Sequence, residues 1–254
     1  MKILHVCDWY RPFGGAERLL FCVLEALEQA GHENIIIANQ VPGQETTGRR
    51  PEYFVEDVEA SLADMPRLSI FGHAPWIRRL RSRALEIIGR HKPDVAHIHN
   101  LQNPFLLREV ARVLPTVRSI HDPRLYCFTN WRLLPDRSLC PYPMGRRCVL
   151  EGCLPKNPLG ASIFVRQAPY RLLHLRAHKE VDLLIAESRA VRDCLMQNGF
   201  SSGQIAMLPN FTPTYGGWEE VQQFNARYHD SKSRTVLFVG RASPEKGLED
   251  LVEA

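Results

Sequence analysis

The chain has 254 residues, 44% of them hydrophobic and 24% charged, with a formal charge of +4. That length allows one large or two ordinary domains with a sizeable core, and the composition is that of a soluble globular protein. The mild positive balance admits acidic partners such as phosphorylated substrates or anionic lipid, but gives no ground for a nucleic-acid partner. The opening MKILHV runs straight into an expected strand, without a signal peptide's apolar stretch or a small-residue cleavage site. No window approaches the roughly eighteen continuous apolar residues of a transmembrane helix. The expected compartment is the cytoplasm, where the seven cysteines stay reduced.

Ile3–Cys7 reads as a buried strand, and Ala16–Ala30 carries Leu19, Leu20, Val23, Leu24 and Leu27 at helical spacing. Between them lie Pro12 and the adjacent pair Gly14 and Gly15. A strand, a glycine turn and a helix N-terminus together make an anion site. The first backbone N–H groups of the helix lack partners, and glycine admits a ligand close to the main chain. A plain strand–helix turn is the competing reading. The pair does not fit G-x-G-x-x-G, which argues against a nicotinamide or flavin enzyme. Glu17, in the first turn, suits the helix dipole and is placed to steady the loop.

The elements then alternate. Gly31 stops the first helix, and Glu33–Ala38 is a β-rich run. Val41–Pro51 reads as a loop and Tyr53–Val55 as a short strand. A helix is expected from about Trp76 to His91, bounded by Pro75 and Pro93. Val95–His99 is the next strand, followed by a helix near Pro104–Val113 and a strand over Thr116–Ile120. The segment from His121 to Gly160 has no clear period. Gly160–Lys179 is helical, Leu183–Ala186 a strand, Ser188–Asn198 a helix capped by Ser188, and Ile205–Leu208 a strand. This alternation predicts right-handed βαβ units: an α/β, Rossmann-like parallel sheet with helices on both faces. Ligands gather at the carboxyl ends of such strands. Asp8–Gly15, His99 with Asn100, and His121 with Asp122 all fall there.

After Asn210 the composition shifts. Residues 212–234 read as a linker, with a Pro/Gly-rich start and a helix over Glu219–Tyr228. Thr235–Val239 then reads as a clean strand, followed by a helix from near Lys246. The expected organisation is one domain over 1–211, the linker, and at 235–254 the first strand and helix of a truncated second Rossmann-like domain. One strand and one helix cannot bury a core, so the sequence is expected to be part of a larger two-domain protein.

Several side chains carry chemistry of their own. His121 ends a strand; a bond to neighbouring backbone is the ordinary role for such a residue, and Asp122 could orient its ring and raise its basicity. His97 and His99 share one face of their strand, where packing fits better than metal binding. Cys127, Cys140, Cys148 and Cys153 lie in the irregular segment. Unconnected thiols and a structural zinc site are both open readings; the absence of any C-x-x-C pair favours the thiols. Arg78, Arg79, Arg81, Arg83 and Arg90 flank the helix at 76–91, and Arg166, Arg171 and Arg176 the one at 160–179. Each is either a solvated outer face or a basic amphipathic surface for peripheral contact with the inner face of an anionic membrane.

The succession FGGAER, PDVAHIHN, SIHD, LLIAESRAVRD, MLPNF and LFVGRASPEKG resembles glycosyltransferase family 4. The resemblance implies the GT-B fold of two facing Rossmann-like domains and a retaining transfer of a sugar from a nucleotide-diphosphate donor, without a required metal cofactor. It implies a carbohydrate or lipid-linked acceptor held mainly by the N-terminal domain. Gly14 and Gly15 would then donate backbone N–H groups to the donor's distal phosphate. His121 would face the transferred sugar, and Arg241 and Lys246 would clamp the diphosphate. Glu17, His99, Asn100 and Asp122 become candidates for acceptor contact or support. The family's later motif, two Glu separated by seven residues, falls beyond residue 254, so this polypeptide alone is expected not to turn over a nucleotide-sugar. A non-catalytic sugar- or nucleotide-binding module is the alternative.

Overall fold

Seven parallel strands form one sheet in the computed structural model, which describes residues 1–10, 14–39, 54–55, 74–121, 123–154, 158–211, 222–223, 236–240, 242 and 246–253. The chain divides into two compact units, Met1–Phe211 and Thr212–Ala254. The strands of the first unit are β1 (Lys2–Trp9), β2 (Glu33–Asn39), β3 (Phe54–Val55), β4 (Val95–Ile98), β5 (Thr116–Ile120), β6 (Leu183–Ala186) and β7 (Ile205–Met207). Its helices are α1 (Gly15–Gln29), α2 (Ala74–His91), α3 (Pro104–Val113), α4 (Arg147–Leu150), α5 (Pro158–His178) and α6 (Arg189–Gln197). The α/β Rossmann-like architecture expected from the alternation is the one adopted. Strand order is β3-β2-β1-β4-β5-β6-β7, so the winding reverses between β1 and β4. In such sheets that reversal opens a crevice beyond the strand ends.

Side-chain alternation sends the two faces of β1 to different cores. Leu4 and Val6 join Ala96 and Ile98 of β4, Ala84 and Ile87 of α2, and Leu107 and Val110 of α3. Cys7 packs instead with Leu20 and Leu24 of α1 and with Ile36 and Ala38 of β2. The period of two in the strands meets the helical spacing of α1 on one face and of α2 and α3 on the other. That places helices on both faces.

Helix ends follow local chemistry. Ser188 Oγ accepts from the Val191 N–H at 3.3 Å, and Gly31 and Gly199 have positive φ just past α1 and α6. Asn103, fully buried, caps α3 by accepting from the N–H groups of Phe105 (2.9 Å) and Leu106 (3.1 Å). Pro104 follows at the first helical position, where its missing N–H costs nothing. Asn103→Ala should therefore destabilise the unit by about 1–2 kcal/mol. Urea unfolding reads this as a lowered midpoint with an unchanged slope.

The basic helices are not simple charged faces. Arg81 of α2 pairs with Glu109 of α3 at 2.9 Å, while Arg83 and Arg90 both pair with Glu86. In α5, Arg171 is buried and donates to the Arg124 carbonyl at 2.6 Å and to Asn130 Oδ1 at 3.2 Å. Arg171 is thus an internal strut rather than part of a surface for membrane. Among the described residues no helix is long and apolar enough to cross a membrane.

Between β5 and α5 the chain is irregular, as its lack of period predicted. It holds a short 3-10 turn at Pro123–Leu125, one antiparallel bridge between Leu133 and Leu139, and the single turn of α4. Phe128, Met144 and Cys148 form a small apolar core of their own there.

In the second unit, Gln222 and Gln223 are helical and α7 spans Leu248–Glu253. The strand expected over Thr235–Val239 is not found. Val236–Val239 has no sheet pairing, and Val236, Leu237 and Val239 are 75–85% exposed. High β-propensity makes a strand only where a neighbour takes up its N–H and C=O groups. No described residue of that unit does so. The remainder of the linker, the loop at 41–51, Asp122 and Arg241 lie outside the described residues.

Candidate functional site

The carboxyl ends of β1, β4 and β5 meet through one hydrogen-bonded network. Asp8, near the end of β1, donates its N–H to the Asn100 carbonyl at 3.0 Å, and its Oδ2 accepts from the Gln102 N–H at 2.8 Å. Asn100 Nδ2 donates to Glu17 Oε1 at 3.0 Å, and Asn100 Oδ1 accepts from Arg124. Glu17, itself buried, reaches under the glycine turn: a Cβ at Gly14 would lie 2.6 Å from Glu17 Oε2. A side chain at Gly14 would thus displace the carboxylate that Asn100 holds. Gly14 is the N-cap of α1 and supplies no side-chain acceptor, so the first N–H groups of α1 are not capped from there.

Burial pushes the Asp8 carboxyl up to about 7, against the Gln102 N–H and the cations of Arg118 and Arg124, with Glu17 adding to the rise. Arg118, mid-strand in β5 and 5% exposed, donates to the Leu101 carbonyl at 3.2 Å. A buried cation on β5, Arg118, and a half-buried one in the turn after it, Arg124, thus act on the buried Asp8 carboxyl of β1.

His121 follows β5 directly. Its side chain is 7% exposed, and Nδ1 lies 3.8 Å from Glu187 Oε2 at the end of β6. Neither ring nitrogen has a hydrogen-bond partner in the described structure. His121 lines two clefts. One, with about 260 Å³ of empty space, is basic and polar, walled by Asn100, Gln102, Arg118, Arg124 and His174. The other, with about 350 Å³ partly open to solvent, runs toward Leu19 and Val23 of α1 and is bounded by Glu187, Asn210 and Phe211. Glu187 is thus the described carboxylate facing His121. The sequence signal for it was available: it directly follows the strand LLIA and precedes the N-cap Ser188.

His99 is 2% exposed and does not line either cleft. Its Nε2 lies 3.0 Å from Nδ1 of His5, whose Nε2 lies 2.9 Å from Asn34 Oδ1. Asn34 Nδ2 donates to the Leu24 carbonyl, which fixes the amide, so His5 Nε2 is the donor and His5 Nδ1 accepts from His99. His97 Nε2 meets Ser119 Oγ at 2.8 Å. Burial lowers His5 to about 4 and His97 to about 3, and holds His99 well below its ordinary value. The side-chain nitrogens of His5, His97 and His99 lie within 4.8 Å of one another, close enough to suggest a metal. The lone pair of His5 Nδ1 is already engaged by His99, however, so His5 and His99 form a neutral hydrogen-bonded pair, with the His97 ring packed beside them and bonded to Ser119. That agrees with the packing role expected for His97 and His99.

The expected phosphate residues of the second unit are only partly described. Lys246 is exposed in the turn before α7.

The family model of Glycosyltransferase Family 4 matches residues 13–214. No curated protein matches the chain. Among solved structures, Anabaena Alr3699/HepE in complex with UDP is similar at 16% identity and a TM-score of 0.49, over 100% of this chain and 57% of that one. UDP-GlcNAc 2-epimerase from Methanocaldococcus jannaschii is similar at 12% identity and a TM-score of 0.49, over 83% and 46%. S. aureus MnaA with UDP is similar at 14% identity and a TM-score of 0.48, over 82% and 44%. The chain spans about half the length of these structures. The family match begins at the glycine turn and continues past β7, taking in His121 and both of its clefts, and on that ground the chain belongs to glycosyltransferase family 4.

Proposed function

We propose that the chain is the acceptor-side domain, with the beginning of the donor-side domain, of a retaining glycosyltransferase that uses a nucleotide-diphosphate sugar. The observation that carries this reading is His121: a buried imidazole with two unpartnered nitrogens between two clefts. Asn100, which walls the first cleft, is bonded to the Glu17 that underlies the glycine turn. A ring so placed can hold a sugar hydroxyl or the positive charge that develops on the sugar.

In the transfer, the bond from the anomeric carbon to the phosphate oxygen breaks and its electron pair stays with the diphosphate. A new bond forms from that carbon to the acceptor oxygen, which gives up its proton to the departing diphosphate oxygen. Negative charge therefore grows on the phosphate and positive charge on the ring. The N–H groups of Gly14 and Gly15 serve the first, with Arg241 and Lys246 as the cations expected from the second unit. Fixed donors and cations aimed where charge appears are worth about 2.7–4 kcal/mol for each well-placed donor. With such groups in place the reaction needs no metal. The acceptor, a carbohydrate or a lipid-linked one, lies against the cleft walled by Arg118, Arg124 and His174.

Release of nucleoside diphosphate from a panel of nucleotide-sugars tests the reading. Residues 1–254 alone are expected to give no turnover, because the donor's sugar and ribose have no paired glutamates to hold them. A polypeptide that also carries those glutamates is expected to transfer sugar. Normal turnover by residues 1–254 would refute the first expectation. A completed polypeptide that binds nucleotide yet releases no diphosphate would favour the binding-module alternative.

A further inference from the structure

Four of the seven cysteines lie within the irregular segment after β5, separated by 12, 7 and 4 intervening residues. Nothing in that spacing requires them to meet, yet they do. Cys127, Cys140, Cys148 and Cys153 all line one cavity with about 270 Å³ of empty space, otherwise walled mainly by apolar groups including Phe128, Leu133 and Met144. None of the four is in a disulfide. The remaining cysteines, Cys7, Cys22 and Cys194, sit on β1, α1 and α6 and take no part.

We propose that these four cysteines form a structural zinc site with four thiolate ligands, which fixes the segment that carries Arg124 and walls the His121 cleft. This inference is independent of the glycosyltransferase reading, because it rests only on the convergence of the four thiols.

The chemistry of the donor set fits a soft, tetrahedral, redox-inert cation. Four sulfur ligands select zinc or an iron–sulfur centre, and zinc needs no inorganic sulfide. The surroundings of Cys127 are those of a thiolate. The Thr129 hydroxyl lies 3.3 Å from its sulfur, and the backbone N–H groups of Arg132, Thr129 and Trp131 face it. Asn130 and Arg132, both with positive φ, bend the chain around that sulfur. Arg132 also reaches Cys140 Sγ at 3.7 Å and donates to Gln197 of α6 at 2.8 Å. Donors of this kind, placed behind the ligands, orient them in metal sites. Four thiolates in one cavity repel each other; a divalent cation at the centre reverses that sign. Each ligating thiol gives its proton to solvent as the bond forms.

No three of the four sulfurs lie within 4.8 Å of one another. Closing a tetrahedron with Zn–S bonds of about 2.3 Å therefore takes side-chain rotation into the cavity. The start of the segment packs in the main core through Leu125 and Tyr126, and Arg171, Gln197 and Asn198 bond to it from α5, α6 and the residue after α6, but its own regular structure is one bridge, one helical turn and a three-residue core. A long irregular stretch inside a compact domain calls for such an anchor.

The test uses the full chain, expressed with zinc in the medium and analysed by elemental mass spectrometry. About one zinc per chain is expected, falling to background in Cys148→Ser and in Cys127→Ser. If those variants do not fold, cobalt substitution of the unaltered chain decides: thiolate-to-cobalt charge-transfer bands in the near ultraviolet support the site. A cobalt spectrum without those bands would overturn the proposal. So would zinc at background with all four thiols open to a thiol reagent, a disulfide between any two of them, or the visible absorbance of an iron–sulfur centre.

Discussion

Replacing His121 with alanine is expected to lower kcat for sugar transfer by about 10²–10³-fold, the loss typical of removing one aimed polar group from a transition state that develops charge. The ring has no hydrogen bond to surrender, so its replacement should leave the fold intact. Activity and stability therefore separate: kcat falls, while the urea midpoint stays near that of the parent. On the proposed function, KM for the donor should move less than kcat, because the ring would meet the sugar most strongly as charge appears. His121→Gln, which keeps one N–H donor, should fall between parent and alanine. The assay uses the completed polypeptide that tests the proposed function. An alanine variant with parental kcat would remove His121 from the chemistry and leave it as packing beside Glu187.

How far the sequence reveals this site depends on whether a residue's partners are near in the chain. The positions of the glycine turn and of His121 at strand ends were legible because strand, turn and helix follow one another locally. The partners that give them meaning were not legible. Glu17 and Asn100 are 83 residues apart, and Arg171 supports Arg124 from 47 residues away. Arg118 offered a signal in TVRSI, a charge in the middle of a run otherwise fit for a buried strand. Only the fold shows that its cation is aimed toward Asp8 rather than water. The four cysteines are the same case: a spacing without C-x-x-C pairs left thiols and zinc both open, and only the fold shows that they share a cavity. Thr235–Val239 shows the opposite error, where strong local propensity promised a strand that the described residues do not pair.

Acid should unfold the first unit steeply, because its interior holds several histidines in the neutral form. Burial lowers His5 to about 4 and His97 to about 3, and takes His99 and His178 well below the ordinary value. Neighbouring basic groups deepen the effect: Arg118 bears on His97, His99 and His178, and His121 on His97 and His99. In the unfolded chain these groups take up protons below about pH 6.5. Between there and pH 4 the unfolded state binds more protons, so stability falls as pH falls. Asp8 acts in the opposite direction. Its folded value of about 7 stands above the unfolded 3.8, so its contribution is present below 3.8 and is lost as pH rises through 7. Four histidines against one aspartate leave a net slope of about 4 kcal/mol per pH unit in the acid window. Against a typical stability of about 5–15 kcal/mol, the native state should be lost within a few pH units below 6.5. Urea midpoints measured from pH 8 to pH 4.5 should peak near neutrality and then drop sharply. His178→Leu removes one of the four titrations. The ring's Nδ1 meets only the carbonyl of His174, and its Nε2 has no partner. That variant should flatten the acid slope by about 1.4 kcal/mol per pH unit. An acid limb of unchanged steepness would mean that His178 is already charged in the native state, or that the proton uptake driving acid unfolding lies elsewhere.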